Sequence, residues 1–459
     1  MIDCEGWATR NIFKKKIAEP KPFTDHGVRH VTIDGMRLHM RWEKSDQALV
    51  WVNGTYQLVL NREAADITEA LIKAYWNNQG DKHFSEDGFW QEMFGQLRKI
   101  YGRDVSEERL RKDINQVVAT YTNVAKGLCP AIDLDLPVVD IKPENWPAPS
   151  RMDLALTYRC QNGCSFCYCD GPRITKELET GQWKDIIARL WQIGVPSILF
   201  TGGEPTMRTD LVELILQAEQ FVTGLVTNGR KLPMIASDLH KASLDYIQVS
   251  LEASDPEIHD EMVGASGAWR ETIAGIKAAL ETGLYVTTNT TLTKRNAPGF
   301  SETIRFGKQL GLKAMGCNSL ICSGKGQSMI TKGGLSIEEL KRVLSQAKEV
   351  AKELNLDLAW YSPTCYEDLD PIEMGFGIKG CSAAQYNMTI EPDGRVIPCQ
   401  SWIHQGCGDI LADNWESIWK NPICLALRDR SMNLRQECAG CQHWNECGGG
   451  CPLETINMR

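Results

Sequence analysis

Cys160, Cys164 and Cys167 lie in the run Cys160-Gln161-Asn162-Gly163-Cys164-Ser165-Phe166-Cys167, at CxxxCxxC spacing, after the apolar, strand-like stretch 152–157. Three thiolates in one short loop can hold three irons of a [4Fe–4S] cube and leave the fourth iron without a protein ligand. Zinc sites more often join two CxxC or Cys/His units. Thr201-Gly202-Gly203-Glu204-Pro205 ends the next strand-like stretch, and its glycines let the backbone approach a ligand closely. Near the C-terminus stands Cys438-x2-Cys441-x5-Cys447-x3-Cys451, preceded by Cys381-x12-Gly394-x4-Cys399. Asp393-Gly394 supplies a hairpin turn that brings Cys381 and Cys399 together.

Composition narrows the setting. The chain has 459 residues, long enough for two or three domains, with 42% hydrophobic and 24% charged residues. Seventeen cysteines in clusters read, in a reducing compartment, as metal ligands rather than disulfides. The net charge of −9 argues against a nucleic-acid partner. No apolar run approaches the roughly 18 residues of a membrane span. The start, MIDCEGWATRNIFKKK, has no apolar signal-peptide core, so a cytoplasmic location is expected.

The elements that must carry these residues fall into regions. Over 25–128, Leu38, Met40 and Trp42 alternate with His39, Arg41 and Glu43, the period of a half-buried strand. Asn53-Gly54 marks a hairpin between 49–52 and 55–60. Helical periodicity follows over 64–76 and 107–124, giving a winged-helix-like α+β module. Residues 129–149, with Pro130, Pro137, Pro143, Pro147 and Pro149, form an extended linker. Residues 150–330 alternate strands (153–157, 197–201, 224–227, 246–251, 285–291, 314–318) with helices such as 183–192 and 211–220. That alternation means a parallel sheet covered by helices. Residues 331–364 hold a bridging helix, 337–353, opened by the Ser336/Glu339 capping box, and a strand. From 365 to 459 the chain is cysteine-rich.

The CxxxCxxC loop, with aromatic Phe166 before its last cysteine, and the Gly202-Gly203-Glu204 turn resemble the radical S-adenosylmethionine (SAM) superfamily. The resemblance implies a partial (β/α)6 TIM-like barrel with its chemistry at the C-terminal ends of the strands. It implies a cluster on Cys160, Cys164 and Cys167 whose open iron binds SAM, with Gly202, Gly203 and Glu204 orienting the amino group. Ser250 and Asn289 become candidate SAM contacts, whereas Asn228-Gly229 reads as a plain turn.

The C-terminal spacing resembles the SPASM extension of peptide-modifying members, which holds two auxiliary [4Fe–4S] clusters. By that resemblance Cys381, Cys399 and Cys451 serve the first auxiliary cluster, with Cys365 as candidate fourth ligand. Cys438, Cys441 and Cys447 serve the second. A seventh cysteine usual in the pattern does not follow Cys451, so the second cluster takes another ligand, with Cys407 and Cys424 as candidates, or is incomplete. Cys169, Cys317 and Cys322 read as buried thiols. Gln400, directly after Cys399, stands where sulfatase-maturing members have an aspartate base. An amide cannot take a proton there, so sulfatase maturation is disfavoured and no general base is assigned.

The N-terminal layout resembles the PqqD-like element related to the pyrroloquinoline-quinone peptide chaperone, in which a leader peptide adds a strand to the sheet edge. The expected function is oxidative modification, such as cross-linking, of a ribosomal precursor peptide, with a ferredoxin or flavodoxin-like reductant. Two alternatives stand beside it: a radical SAM enzyme acting on a tetrapyrrole or other cofactor precursor, and a non-catalytic iron–sulfur or zinc scaffold.

Overall fold

A computed structural model describes residues 28–33, 36–43, 47–53, 56–79, 86–102, 105–126, 146–169, 176–403, 406–433 and 438–457. The expected linker lies mostly outside them, as do Cys4 and Cys129. Described residues up to 148 form one compact unit with 188–197 and 220–222; the remainder form a second.

In the first unit, β1 (Arg29–Ile33), β2 (Met36–Trp42), β3 (Ala48–Val52) and β4 (Tyr56–Leu60) make an antiparallel sheet in sequence order. The expected hairpin forms, with Val52 opposite Tyr56 and Asn53 at φ 52°; Gly54 lies outside the described residues. Helices α1 (Arg62–Gln79), α2 (Glu86–Tyr101) and α3 (Glu107–Ala125) follow. Leu38 and Met40 pack with Ile72, Leu97, Ile114 and Tyr121 in one apolar core. The sequence reading names no helix over 86–101, where Gly88 and Gly95 weaken the intrinsic preference. Burial of Met93, Phe94 and Leu97 supplies what propensity lacks.

The half-buried reading of β2 needs correcting. His39 and Arg41 are as buried as Leu38 and Met40. Their polar atoms find backbone carbonyls within the same unit: Arg37 Nη2 donates to Phe221 O at 2.8 Å and Arg41 Nη1 to Gly194 O at 2.9 Å, and His39 Nε2 lies 3.0 Å from Gln220 O. A buried polar group is tolerated when such a partner is present, and sequence alternation cannot foresee one supplied from 150 residues away.

The main sheet has ten strands. β5 (Arg151–Ala155), β6 (Ser197–Thr201), β7 (Val222–Thr227), β8 (Tyr246–Ser250), β9 (Tyr285–Thr291) and β10 (Ala314–Asn318) come from the β-α repeats. β11 (Asp357–Trp360) joins parallel to β10. On the opposite side β12 (Asn387–Ile390) runs parallel to β5, and β13 (Arg395–Ile397) and β14 (Gly408–Asp409) extend the sheet antiparallel. The order is β11-β10-β9-β8-β7-β6-β5-β12-β13-β14. The cysteine-rich segment therefore continues the barrel sheet. This explains why β5 begins at Arg151 and not at Asp153: Asn387 pairs with Arg151 and Met388 with Met152, a register fixed from the far end of the chain. The capping box at Ser336 and Glu339 is formed, and Leu340, Val343, Leu344, Ala347 and Val350 bury one face of that helix.

A close backbone approach joins the ends of β5 and β6. Gly202 has φ 139°, and a Cβ there would stand 2.2 Å from Thr157 O. A Cβ on Gly203 would stand 2.6 Å from Tyr158 O. Gly203 N donates to Thr157 O and Glu204 N to Arg159 O. Gly202→Ala is thus expected to destabilise the protein by about 2–4 kcal/mol, since both strain and a backbone clash oppose it. Thermal or denaturant unfolding reads this, and a loss under 0.5 kcal/mol (about the scatter of surface changes) would contradict it.

Candidate functional site

The cysteine loop leaves the end of β5 and is tied down on each side. Gly163 N donates to Val263 O, Ser165 N to Met262 O, and Lys325 N to Cys167 O, at 2.8, 3.1 and 2.9 Å. Gly264 and Gly324, both with positive φ, allow this closeness: a Cβ on either would stand 2.6 Å from the carbonyl of Gly163 or Cys167. Arg230 Nη1 holds Asn162 Oδ1 at 2.7 Å. Phe166 is half-buried, its carbonyl near Gly326.

Cys160, Cys164 and Cys167 are gathered closely enough that charge on one raises the proton affinity of another. Burial raises the Cys160 and Cys164 thiols first, and neighbouring cysteines add to it. None of the three is in a disulfide. Metal uptake here must expel protons, so it is coupled to pH.

Glu204 does not face an open space. Its carboxylate is fully buried, with Oε1 accepting from Thr206 N at 3.0 Å and Thr227 Oγ1 at 2.8 Å, and Oε2 accepting from Asn228 N at 2.7 Å. Burial raises its pKa while these donors pull it back. It acts as a staple between the ends of β6 and β7. The glycines before it are filled by residues 157–159, so backbone packing accounts for them.

Asn228 is the residue that sequence reasoning missed. The turn is real, with Gly229 at φ 80°. Yet Asn228 Nδ2 lies 3.9 Å from Cys160 Sγ, and its Oδ1 accepts from Gln161 Nε2 at 3.2 Å. An Asn-Gly pair after a strand could have signalled a turn with a functional side chain, but only the fold brings it to the sulfur.

Ser250 and Asn289 are register partners on β8 and β9. Asn289 Nδ2 donates to Asn318 Oδ1 at 2.7 Å, whereas its Oδ1 is buried without a protein partner. Beside them stands Glu252, 3% exposed, which raises Cys164 further once it is ionised. Burial pushes the Glu252 carboxyl up to about 8, against one hydrogen bond from Thr291 N. An open cavity of about 470 Å³ touches Arg159, Arg208 and Asp210 at the rim near the loop.

The C-terminal cysteines form distinct groups. β12 and β13 form the expected hairpin, with Gly394 at φ 95°. Cys451 is raised by burial and by Cys381 and Cys399; burial and Cys381 push Cys399 up to about 12. Cys365 feels Cys447, and Cys447 Sγ lies 3.3 Å from Thr364 O; Cys441 Sγ lies 3.7 Å from Glu367 Oε1. Cys365 thus lies near Cys447, expected at the second auxiliary site, and its backbone also lies against Gly450, the neighbour of Cys451 at the first. Cys438 stands at intermediate burial, its carbonyl accepting from Cys441 N. Cys407 and Cys424 are buried against each other with sulfurs 3.3 Å apart. Cys317 and Cys322 are buried as expected, but Cys169 is only half-buried, with Sγ 3.7 Å from Gly202 O. Among the described residues no three His, Cys, Asp or Glu groups close round a single-ion-sized point.

Comparison with known proteins identifies the arrangement. Residues 154–307 match the radical SAM superfamily model, and 381–442 match an iron–sulfur cluster-binding domain, SPASM. The chain is a radical SAM enzyme. An AdoMet-dependent heme synthase of Oleidesulfovibrio alaskensis is 26% identical over 326 residues, 66% of this chain and 82% of that protein. A PqqA peptide cyclase of Ruegeria pomeroyi is 27% identical, covering 68% and 84%. Among solved structures, Streptococcus suis SuiB bound to S-adenosylmethionine aligns with TM-score 0.63 at 18% identity over 91% of this chain and 96% of that one. anSMEcpe with bound AdoMet aligns at 0.56, covering 67% and 91%. Both domains imply iron–sulfur clusters and SAM binding, and no helix among the described residues is long and apolar enough to cross a membrane.

The residues of this radical SAM enzyme fit those groups: three neighbouring thiols on one loop, and an unpartnered amide oxygen at the strand ends. Two tests follow. Glu252 is protonated in the fold but ionised in the unfolded chain above pH 4.5, so stability falls as pH rises from about 4.5 to about 8. His259, lowered to about 4 by burial, acts in the opposite sense only up to 6.5. Glu252→Gln should flatten the fall between those upper limits, by up to about 1.4 kcal/mol per pH unit, in denaturant titrations of the metal-free protein. Separately, Cys407→Ser and Cys424→Ser should keep wild-type iron per chain after anaerobic reconstitution, because each thiol's near partner is the other; a loss of iron would restore them as ligands.

Proposed function

We propose that this radical SAM enzyme oxidatively modifies a ribosomally made peptide, for example by cross-linking its side chains. Cys160, Cys164 and Cys167 hold the SAM-binding cluster, which when loaded supplies the electron that cleaves SAM to methionine and a 5′-deoxyadenosyl radical. The Gly202-Gly203 turn and the Ser250–Asn289 strand ends flank the space for SAM, with Asn289 Oδ1 available to accept a hydrogen bond. Glu204 holds the turn rather than the ligand. Cys381, Cys399 and Cys451 serve one auxiliary cluster, with Cys365 as candidate fourth ligand; Cys438, Cys441 and Cys447 serve a second. The N-terminal module is a PqqD-like element that captures the leader peptide, and a ferredoxin or flavodoxin-like protein supplies electrons.

The observation that carries the peptide reading is coverage. SuiB in complex with its precursor peptide SuiA aligns over 93% of this chain, N-terminal residues included, at TM-score 0.62. A peptide cyclase is among the sequence relatives. The tetrapyrrole reading draws on heme synthases, which match 66% of the chain.

The test is anaerobic reconstitution, then incubation with SAM, dithionite and any small peptide encoded beside this gene, read by mass spectrometry. A peptide lighter by two hydrogens is expected for a cross-link, with 5′-deoxyadenosine released. Cys160→Ala should abolish both. Absence of 5′-deoxyadenosine from the wild type would favour the scaffold reading, and turnover of a porphyrin precursor instead of peptide would favour the tetrapyrrole one.

A further inference from the structure

Two tyrosines bracket the cysteine loop. Tyr158 stands two residues before Cys160, and Tyr168 directly follows Cys167. Each phenol donates to a residue of the C-terminal hairpin: Tyr158 to Glu391 Oε1 at 2.9 Å, Tyr168 to Gln400 Oε1 at 2.5 Å. Glu391 follows β12, is fully buried, and takes Arg395 Nε on its other oxygen at 2.5 Å. Gln400 follows Cys399. Its amide is oriented from both ends, because Nε2 donates at 2.9 Å to Asp153 Oδ2 inside the sheet. Asp153 is 1% exposed and acceptor-only as a carboxylate, with Arg151 Nε on Oδ1 at 2.7 Å. A flipped amide would set oxygen against that carboxylate. The hairpin therefore presents the amide oxygen of Gln400 to Tyr168. A third strut runs parallel: Ser323 Oγ donates to Ser401 O at 2.8 Å, two residues from Lys325 N on Cys167 O.

We propose that Tyr168 and Gln400 are paired positioning residues through which the hairpin bearing Cys399 sets the placement of Cys167, and so the affinity of the loop's cluster for SAM. The role assigned is positioning, through the loop, and not contact with substrate. Each is the chain neighbour of a cluster cysteine, and their shared hydrogen bond is a side-chain tie between the two loops. This explains the glutamine at this position: with Oε1 and Nε2 both committed, it serves geometry where a carboxylate would meet Asp153 at close range. The inference rests on reading Cys160, Cys164 and Cys167 as cluster ligands; it does not depend on the substrate.

Full-length protein, loaded anaerobically with iron and sulfide and reduced with dithionite, is titrated with SAM while the cluster's EPR signal is followed. Tyr168→Phe and Gln400→Met each should raise the SAM concentration for half-conversion by about three- to tenfold, the range of one net hydrogen bond. Iron per chain should stay at the wild-type level. The Tyr168→Phe/Gln400→Met double variant should be no worse than Gln400→Met alone, because that single already removes the bond Tyr168→Phe deletes, whereas Tyr158→Phe with Gln400→Met should combine multiplicatively. Variants that respond to SAM like the wild type, or a fully multiplicative Tyr168/Gln400 pair, would overturn the proposal. So would iron loss in both single variants, which would make the residues merely structural. A wild-type signal that SAM does not change would instead remove the ligand reading, and this proposal with it.

Discussion

The contact between residues 157–159 and 202–204 governs the geometry of the site. Two consecutive glycines are needed there because carbonyls of the neighbouring segment occupy the space where side chains would stand. Glu204 then spends its buried carboxylate on Thr206, Thr227 and Asn228, tying the end of β6 to the end of β7. A buried carboxyl costs stability unless its oxygens are satisfied, and here both are. Everything the cysteine loop needs follows from this junction: its starting point after β5, its approach to Asn228, and its closeness to the turn at Gly264. The motif long associated with ligand contact is, in this chain, first a device for joining three strand ends.

A second constraint comes from the thiols. Cys164, Cys381, Cys399 and Cys451 are raised chiefly by burial, so the metal-free protein holds them neutral at ordinary pH. Neutral thiols can be packed into a half-buried loop at little cost; thiolates held by a metal can too, while lone thiolates cannot. The site is thus stable in two chemical states and expels protons when passing from one to the other. The C-terminal strands add to the barrel sheet edge, so the auxiliary cysteines are carried by the same hydrogen-bonded framework as the SAM loop.

Sequence reasoning and structure agree most where local chemistry decides. Strands β6, β9 and β10 and the helix Ile337–Glu353 appear where pattern and capping predict them. The turns at Asn53 and Gly394 form because a positive φ suits those residues. Disagreement concentrates where a distant partner decides. β2 buries His39 and Arg41 because carbonyls at Gly194 and Gln220 receive them. β5 shifts by two residues because β12 pairs with it. Cys407 and Cys424 stand against each other, and Cys365 lies near both Cys447 and Gly450, the neighbour of Cys451, placements that spacing alone does not give.

From the sequence alone came the identity of the chemistry: thiol spacing within a loop is a local property, and three cysteines within eight residues must share a neighbourhood however the rest folds. The hairpin at Asp393-Gly394 is local in the same sense. Which side chains surround those thiols is not local. That Glu204 is a staple, that Asn228 reaches Cys160, and that Tyr158 and Tyr168 lean on Glu391 and Gln400 depends on contacts between residues up to 233 positions apart. Such contacts arise from sheet register and burial, which are decided only when the whole chain packs.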